Sequence, residues 1–506
     1  MDTLGEDYEE IQNGEESNPL TKKELIGWYF HNFAIGGYDT AAISVFIPVV
    51  LEGLSSQAGY ERDQVTPCNT TVTDYECVTR FGASFVDTES YSLYLISVSV
   101  LFQAILFISC GSLADHGNSR KKFLLSFSFV GAISTIAFIT IVNPKLYWLA
   151  GLFTIISNCC YGAAFLFFLA YIPIFSRCHP DVIKAKTSNA SISEVKTLMD
   201  KIATKLSSYS MAADLISGLV VIIAGLGLVL VTTEGPAGFQ FALAFCGAWW
   251  LLFLIFPAMW LTSRPRPPLP KNENNLLYSW KRVGKSLMST RELWQTMKFL
   301  FAYFFISDGM NTLVTVCVLF GKKELGMTNI ELSLFAIIVP ICAVIGIYLL
   351  LIIQKKFQLS IKTMIILESI GLSLLPLYAI LGFWLPFGLV NKWEVWMYLV
   401  LFGLLVGSIQ SYCQACFAII IPEGHENEFF SLFQITSKGS SAIGPLVSGA
   451  ITNYTHNIRL CYWFLFALIA SPILILTTLD IEKGKSDAKI FVEKEEETKN
   501  KDIRVD

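Results

Sequence analysis

The chain has 506 residues, of which 53% are hydrophobic, 13% aromatic and only 15% charged, with a formal net charge of -4. Ordinary soluble domains carry roughly 25% charged residues, so this composition excludes one and assigns the apolar mass to a bilayer. A net charge this small gives no reason to expect nucleic acid as a partner.

Residues 1–26 form an acidic tail with Glu9, Glu10, Glu15 and Glu16. Behind it the chain falls into apolar runs of about twenty residues, each long enough at about 1.5 Å per residue to cross a hydrocarbon core about 30 Å thick. Six runs, 27–51, 91–114, 123–142, 147–171, 211–231 and 239–261, precede a polar stretch at 263–296. Six more follow at 297–319, 332–353, 361–381, 395–421, 430–452 and 460–479, and a charged tail closes the chain at 481–506. The first run is too long and too poorly flanked to be a cleaved signal and is expected to remain as a span. The expected fold is an all-α integral membrane protein of twelve transmembrane helices in two pseudo-symmetric six-helix bundles, 27–262 and 297–480, joined by the linker 263–296.

An even number of crossings leaves both termini on one side, and Lys plus Arg decide which. Of the 37 basic residues, 29 fall on the side of the termini, counting Lys298 and Lys362 at the starts of their runs, 7 fall on the other, and Lys438 lies inside a run. Both termini are therefore expected in the cytosol. The loop 52–90 then faces a lumen or the exterior, and it holds Cys68, Cys77 and the sequon Asn69, Thr70, Thr71, all suited to such a compartment. Cys68 and Cys77 are expected to form a disulfide, the alternative being two free thiols in a mobile loop. Asn453, with Tyr454 and Thr455, is a second sequon on that side but close to the bilayer, whereas Asn189 falls on the cytosolic side and should stay bare. Cys413 and Cys416 have CxxC spacing with no second ligand pair, which favours helix packing over metal binding. No metal or cofactor is expected.

After the second run the chain reads Gly111, Ser112, Leu113, Ala114, Asp115, His116, Gly117, Asn118, Ser119, Arg120, Lys121, Lys122. It resembles the loop signature of the major facilitator superfamily, with its second glycine one residue early and its basic run late. Gly111 allows close helix approach, and Asp115 can bind a positively polarised helix N-terminus and the cations. In that superfamily the contact holds the cytosolic side shut; the plainer reading is a basic loop that only orients the chain. The superfamily's halves repeat in parallel. Aligning the first run with the seventh pairs Gly37 with Gly309, Asp39 with Asn311 and Thr40 with Thr312.

A charge at mid-bilayer costs at least about 2.5 kcal/mol on insertion scales, so one that remains usually faces the bundle interior. Asp39, Asp308 and Lys438, with Asn311, are the candidate substrate or proton pathway. Lys438 can alternatively snorkel toward the cytosol. Asp214, near a span end, and Glu368, in the ninth run, read as structural.

The stretch from Pro422 through Glu426, Glu428, Phe429, Phe430 and Lys438 to Gly444 and Pro445, the opening Gly27, Trp28, Tyr29, Phe30, and the seventh-run segment Ser307 to Thr312 together resemble the autophagy-related vacuolar amino-acid effluxers of fungi, a family within the major facilitator superfamily. The resemblance runs from about residue 25 to 479. It implies a multi-pass vacuolar membrane protein that exports amino acids, neutral and aliphatic ones first, to the cytosol. The residues suit that chemistry: Asp39 or Asp308 for an ammonium, Lys438 for a carboxylate, and one of the two acids for a proton. Glu423, Glu426 and Glu428 are expected to meet Arg120, Lys121 and Lys122, with Asp115 beside them, across a cytosolic gate of exposed, individually weak pairs; solvated loop charges are the alternative. A facilitator for sugars, peptides or drugs shares the generic features, as does a non-transporting receptor. No enzyme reading survives, since there is no phosphate-cradling loop and the histidines have no metal-ligand spacing.

Overall fold

The computed structural model describes residues 18–69, 77–82, 84–188, 190–232, 236–264, 279–284, 291–328, 331, 334–441 and 443–505. Glu9, Glu10, Glu15, Glu16, Thr70, Thr71, Asn189 and most of the linker 263–296 lie outside them. Among the described residues eleven helices are long and apolar enough to cross a bilayer. The first six are Lys22–Gln57, Ser90–Ala114, Ser119–Thr140, Pro144–Thr187, Ile192–Val231 and Pro236–Trp260. In the second half they are Trp294–Lys323, Phe335–Phe357, Ile361–Leu381, Lys392–Ile420 and Ile458–Thr477. The expected eleventh span, 430–452, takes a different form. It is divided into Glu426–Ser440 and Ile443–Thr455, so neither piece has the length of a crossing.

Several helices outrun their apolar runs because polar caps start them early. Thr21 accepts the Glu24 backbone N–H and begins the first span in the tail. Ser191 and Glu194 form a capping box that starts the fifth helix well inside the polar stretch 176–208. Within the first span, Tyr38–Phe46 winds as a π-helix, which re-aims the side chains around Asp39. The loop after the first span carries an antiparallel sheet, β1 (Tyr60–Glu61), β2 (Cys77–Phe81) and β3 (Ser84–Asp87), in the order β1-β2-β3. Cys77 opens β2 and is joined to Cys68 by a disulfide. The charged tail is the helix Ile481–Val505.

The packing repeats between the halves. The first span lies against the fifth and sixth, and the seventh lies against both pieces of the eleventh and against the twelfth. Contacts between the halves are made by the second and fourth spans on the first piece of the eleventh, and by the fifth on the eighth and tenth. Ser207 donates to the Ser411 carbonyl at 2.8 Å, the Tyr209 and Tyr348 rings lie 6.1 Å apart, and Lys201 reaches Gln358 at 3.3 Å. These three side-chain contacts lie toward the face that carries both ends of the described chain, here the terminal face. The second piece of the eleventh span packs on the seventh and twelfth, its own half. The two halves are thus joined at the terminal face, and Ala336 at the far end of the eighth span also packs on the apolar core of the first half.

Candidate functional site

Between the halves lies a cavity with about 450 Å³ of empty space, its mouth included. The first half contributes Asp39, Tyr161, Phe165, Met211 and Asp214; the second contributes Tyr303, Gln410, Gln414, Phe433, Gln434, Ser437 and Lys438. Close helix approach sets this arrangement. A Cβ on Gly218 would collide with Thr40, so the absence of a side chain there lets the first and fifth spans meet one turn from Asp214. In the second half Gly444 stands in the same relation to Thr312. The pairing of Thr40 with Thr312 read from the repeat therefore has a structural counterpart.

Asp39 is half-buried and close enough to Tyr161 and Asp214 to interact electrostatically with both. Asp214 is 5% exposed, and among the described residues its Oδ1 has no hydrogen-bond partner. The Lys438 ammonium lies 5.8 Å from the centre of the Tyr161 ring, across the cavity from its own helix. Among the described residues none of these three charges forms an ion pair, so two carboxylates and one ammonium face a shared space with aromatic walls. Such a lining offers one pole for a cation and one for an anion.

The sequence-predicted residues divide. Asp39 and Lys438 line the cavity, and Asp214, read as structural from its position near a span end, lines it with them. Asp308 is not among the lining residues. It is fully buried beside the break in the eleventh span, where its Oδ1 accepts the Gly444 N–H at 3.0 Å. Asn311 is exposed and also outside the lining. Glu368 is buried in the ninth span and accepts the Ser408 hydroxyl at 2.8 Å.

At the terminal face the second cluster closes the space between the halves. Asp115 Oδ1 accepts the Asn427 backbone N–H at 3.0 Å and its side-chain amide at 2.7 Å, and Oδ2 accepts the Glu428 N–H at 3.1 Å. A carboxylate from one half thereby caps a helix of the other. Arg120 lies 3.3 Å from Asp115 and 3.5 Å from Glu426; Arg177 pairs with Glu426 and, at 2.9 Å, with Glu423. Gly111 fits beneath, where a Cβ would collide with the Ser431 hydroxyl.

The expectation of exposed pairs is corrected in one respect. Glu426 and Glu428 are 0% exposed and Asp115 2%, so most of the cluster is desolvated, and only Glu423 keeps a largely exposed side chain. Lys121 stands apart from the cluster, donating instead to the Ala258 carbonyl at 3.0 Å on the sixth span.

Three members escaped sequence reasoning. Arg177 looked like one basic loop residue among many. Arg282, from the linker, lies 2.8 Å from Glu428 and 2.7 Å from His116. His425 lies 2.9 Å from Glu428 and 2.7 Å from Glu495 of the tail helix. Burial and the nearby Arg282 push the His425 imidazole down, but the two carboxylates outweigh them and leave it above its ordinary value of 6.5. Among the described residues no cluster of three His, Cys, Asp or Glu is placed to hold a metal.

Asn69 and Asn453 are both exposed, on the face of the disulfide.

The profile of the family described as "Vacuole effluxer Atg22 like" matches residues 20–489. Autophagy-related protein 22-1 of Aspergillus niger is 32% identical over 560 aligned positions, covering 94% of this chain and 91% of the relative. Autophagy-related protein 22 of Coccidioides immitis is 33% identical over 545 positions, covering 95% and 90%. Among solved structures, the major facilitator superfamily proton:xylose symporter XylE matches with a TM-score of 0.62 at 16% identity, over 93% of this chain and 98% of that one. The transporter FucP in its outward conformation matches with a TM-score of 0.61 at 11% identity, over 91% and 99%. At such identities the likeness shows the fold alone, the all-α major facilitator fold.

Proposed function

The chain belongs to the Atg22-like vacuole effluxer family, and from that premise we propose that this secondary transporter carries amino acids, neutral and aliphatic ones first, from the vacuole lumen to the cytosol in exchange of access between the two faces. The terminal face is then cytosolic, and the disulfide, Asn69 and Asn453 lie in the lumen, with Asn69 the better glycan acceptor because it stands farther from the bilayer. The state described is closed to the cytosol.

One observation carries the reading: Asp39, Asp214 and Lys438 face a single cavity without pairing to one another. A zwitterion satisfies both poles at once, its ammonium on the carboxylates and its carboxylate on Lys438. Phe165, Met211, Tyr303 and Phe433 supply apolar surface for the side chain. A neutral sugar leaves all three charges unanswered, at a cost that grows as the cavity closes and dries. Movement of a proton with the substrate, drawn from an acidic lumen, completes the proposal.

The test is counterflow in proteoliposomes across labelled leucine, alanine, lysine, glutamate and glucose, with and without a pH gradient. Leucine and alanine should exchange, and Asp214→Asn or Lys438→Gln should weaken that exchange by roughly tenfold or more at low substrate concentration. Glucose exchange without leucine exchange, or full leucine exchange in both variants, would overturn the assignment.

A further inference from the structure

The break in the eleventh span is held by two kinds of bond. Its first piece, Glu426–Ser440, is tied to the seventh span by neutral hydroxyls: Ser307 lies 3.2 Å from Ser437, and Tyr303 lies 3.5 Å from the same residue. Its second piece, Ile443–Thr455, is tied to the seventh span by a carboxylate. Asp308 Oδ1 accepts the Gly444 N–H at 3.0 Å and the Thr312 hydroxyl at 3.4 Å. Pro445 follows and has no N–H of its own, so the Gly444 bond is a large share of what this helix start can offer.

Asp308 is 0% exposed, and among the described residues its other oxygen, Oδ2, has no hydrogen-bond partner. Among the described residues no cation answers it. Lys438, on the first piece of the eleventh span, faces Tyr161 across the cavity. Arg459, before the twelfth span, stacks over Phe320, 4.8 Å from its ring centre. Tyr398 of the tenth span and Tyr462 of the twelfth lie beside Cys317, farther along the seventh. Around Asp308 the twelfth span instead presents Ile469, packed on Gly309. A dry, unpartnered carboxylate oxygen with one hydrogen-bonded neighbour oxygen is built to accept a single proton.

We propose that Asp308 is the site at which the transported proton acts, and that its protonation releases the second piece of the eleventh span from the seventh. This rests on the proposed transport function and names the residue that couples proton to movement. Oδ2 gains one proton from water on the lumenal side, and no covalent bond breaks. The carboxylate becomes a neutral acid, so the charge that held the Gly444 N–H and the positive helix end is lost. The first piece, tied by uncharged hydroxyls, is unaffected. The freed piece lies beyond the cavity on the lumenal side, packed within its own half on the seventh and twelfth spans, and is free to move over a loaded cavity. Return of the proton to the cytosol restores the cap.

Infrared difference spectroscopy of the full chain in lipid nanodiscs, acidified from neutral pH, tests this without any substrate. The wild type should gain the carbonyl band of a buried protonated carboxyl, and Asp308→Asn should lack it. Asp308→Glu, which keeps the acid, should show a displaced band, and it preserves the test if the Asn variant fails to fold. The same band in wild type and Asp308→Asn, or no acid-induced band in the wild type, overturns the proposal. In proteoliposomes the pH dependence of leucine counterflow should vanish in Asp308→Asn and return in Asp308→Glu. Should the wild type move no amino acid, the transport reading falls while the infrared result still decides this one.

Discussion

Asp115 and Asn427 stand 312 residues apart in the chain, yet the carboxylate of one accepts both the backbone N–H and the side-chain amide of the other. One half of the molecule thereby supplies the N-terminal cap of a helix in the other. Such a cap is worth about 1–2 kcal/mol, enough to shift the balance between the two access states by roughly five- to thirtyfold. Asp115→Ala should therefore favour the state open to the terminal face. Hydrogen exchange at residues 426–431 should quicken accordingly, and Gly111→Leu, which wedges the same contact, should act in the same direction. Unchanged exchange in both variants would remove the gate role.

The pairs of this cluster differ from those suggested by charge pattern alone. Arg177 and Arg120 meet Glu426, while Arg282 meets Glu428. Because Glu426 is buried, Glu426→Gln weakens two charge-assisted contacts and leaves Arg120 with Asp115 and Arg177 with Glu423, at a cost of about 1.5–3 kcal/mol to the closed state. Arg177→Gln should cost less, since Arg120 remains. A double-mutant cycle on thermal stability should show coupling between Arg177 and Glu426 and none between Arg177 and Glu428.

His425 gives the closed face a pH dependence of defined sign. Its folded value lies above 6.5, so the stability it adds is fully present below about 6.5 and is lost as pH rises through the raised value. Each charge-assisted bond to Glu428 and Glu495 contributes about 1.5–3 kcal/mol at most. Thermal melting of the wild type should fall from pH 6 toward pH 8 by more than that of His425→Gln. Parallel melting curves would dismiss the contribution.

In the cavity, Lys438→Gln should raise the concentration of leucine needed for half-maximal counterflow by roughly tenfold to a hundredfold, the loss of one charge-assisted bond. Lys438→Arg should recover part of it, because the charge remains and only the geometry changes. Leucine methyl ester, which lacks the carboxylate, should be insensitive to both substitutions. An equal loss for leucine and its ester would show that Lys438 serves the fold rather than the substrate.

Much of the architecture could be read in advance because its causes are local. An apolar run of about twenty residues has few places to go besides a bilayer. The same holds for the loop of Cys68 and Cys77, whose nine-residue separation suits a disulfide. Boundaries were less legible, since caps such as Thr21 and the Ser191 with Glu194 pair extend helices beyond the apolar residues that announce them. The break after Ser440 carries no hydropathy signal, because its residues are small and moderately apolar.

Sequence by itself determined the count of apolar crossings, the expected side of the termini, and the depth at which Asp39, Asp308 and Lys438 sit, because hydropathy and rise per residue depend only on near neighbours. Only the tertiary structure decided which of those charges share a space. Asp214 turned toward the cavity and Asp308 toward the eleventh span's broken end, although both are single carboxylates on long apolar helices. The direction of a side chain around its helix is set by what packs beside it, and here those neighbours come from helices some hundred or more residues away.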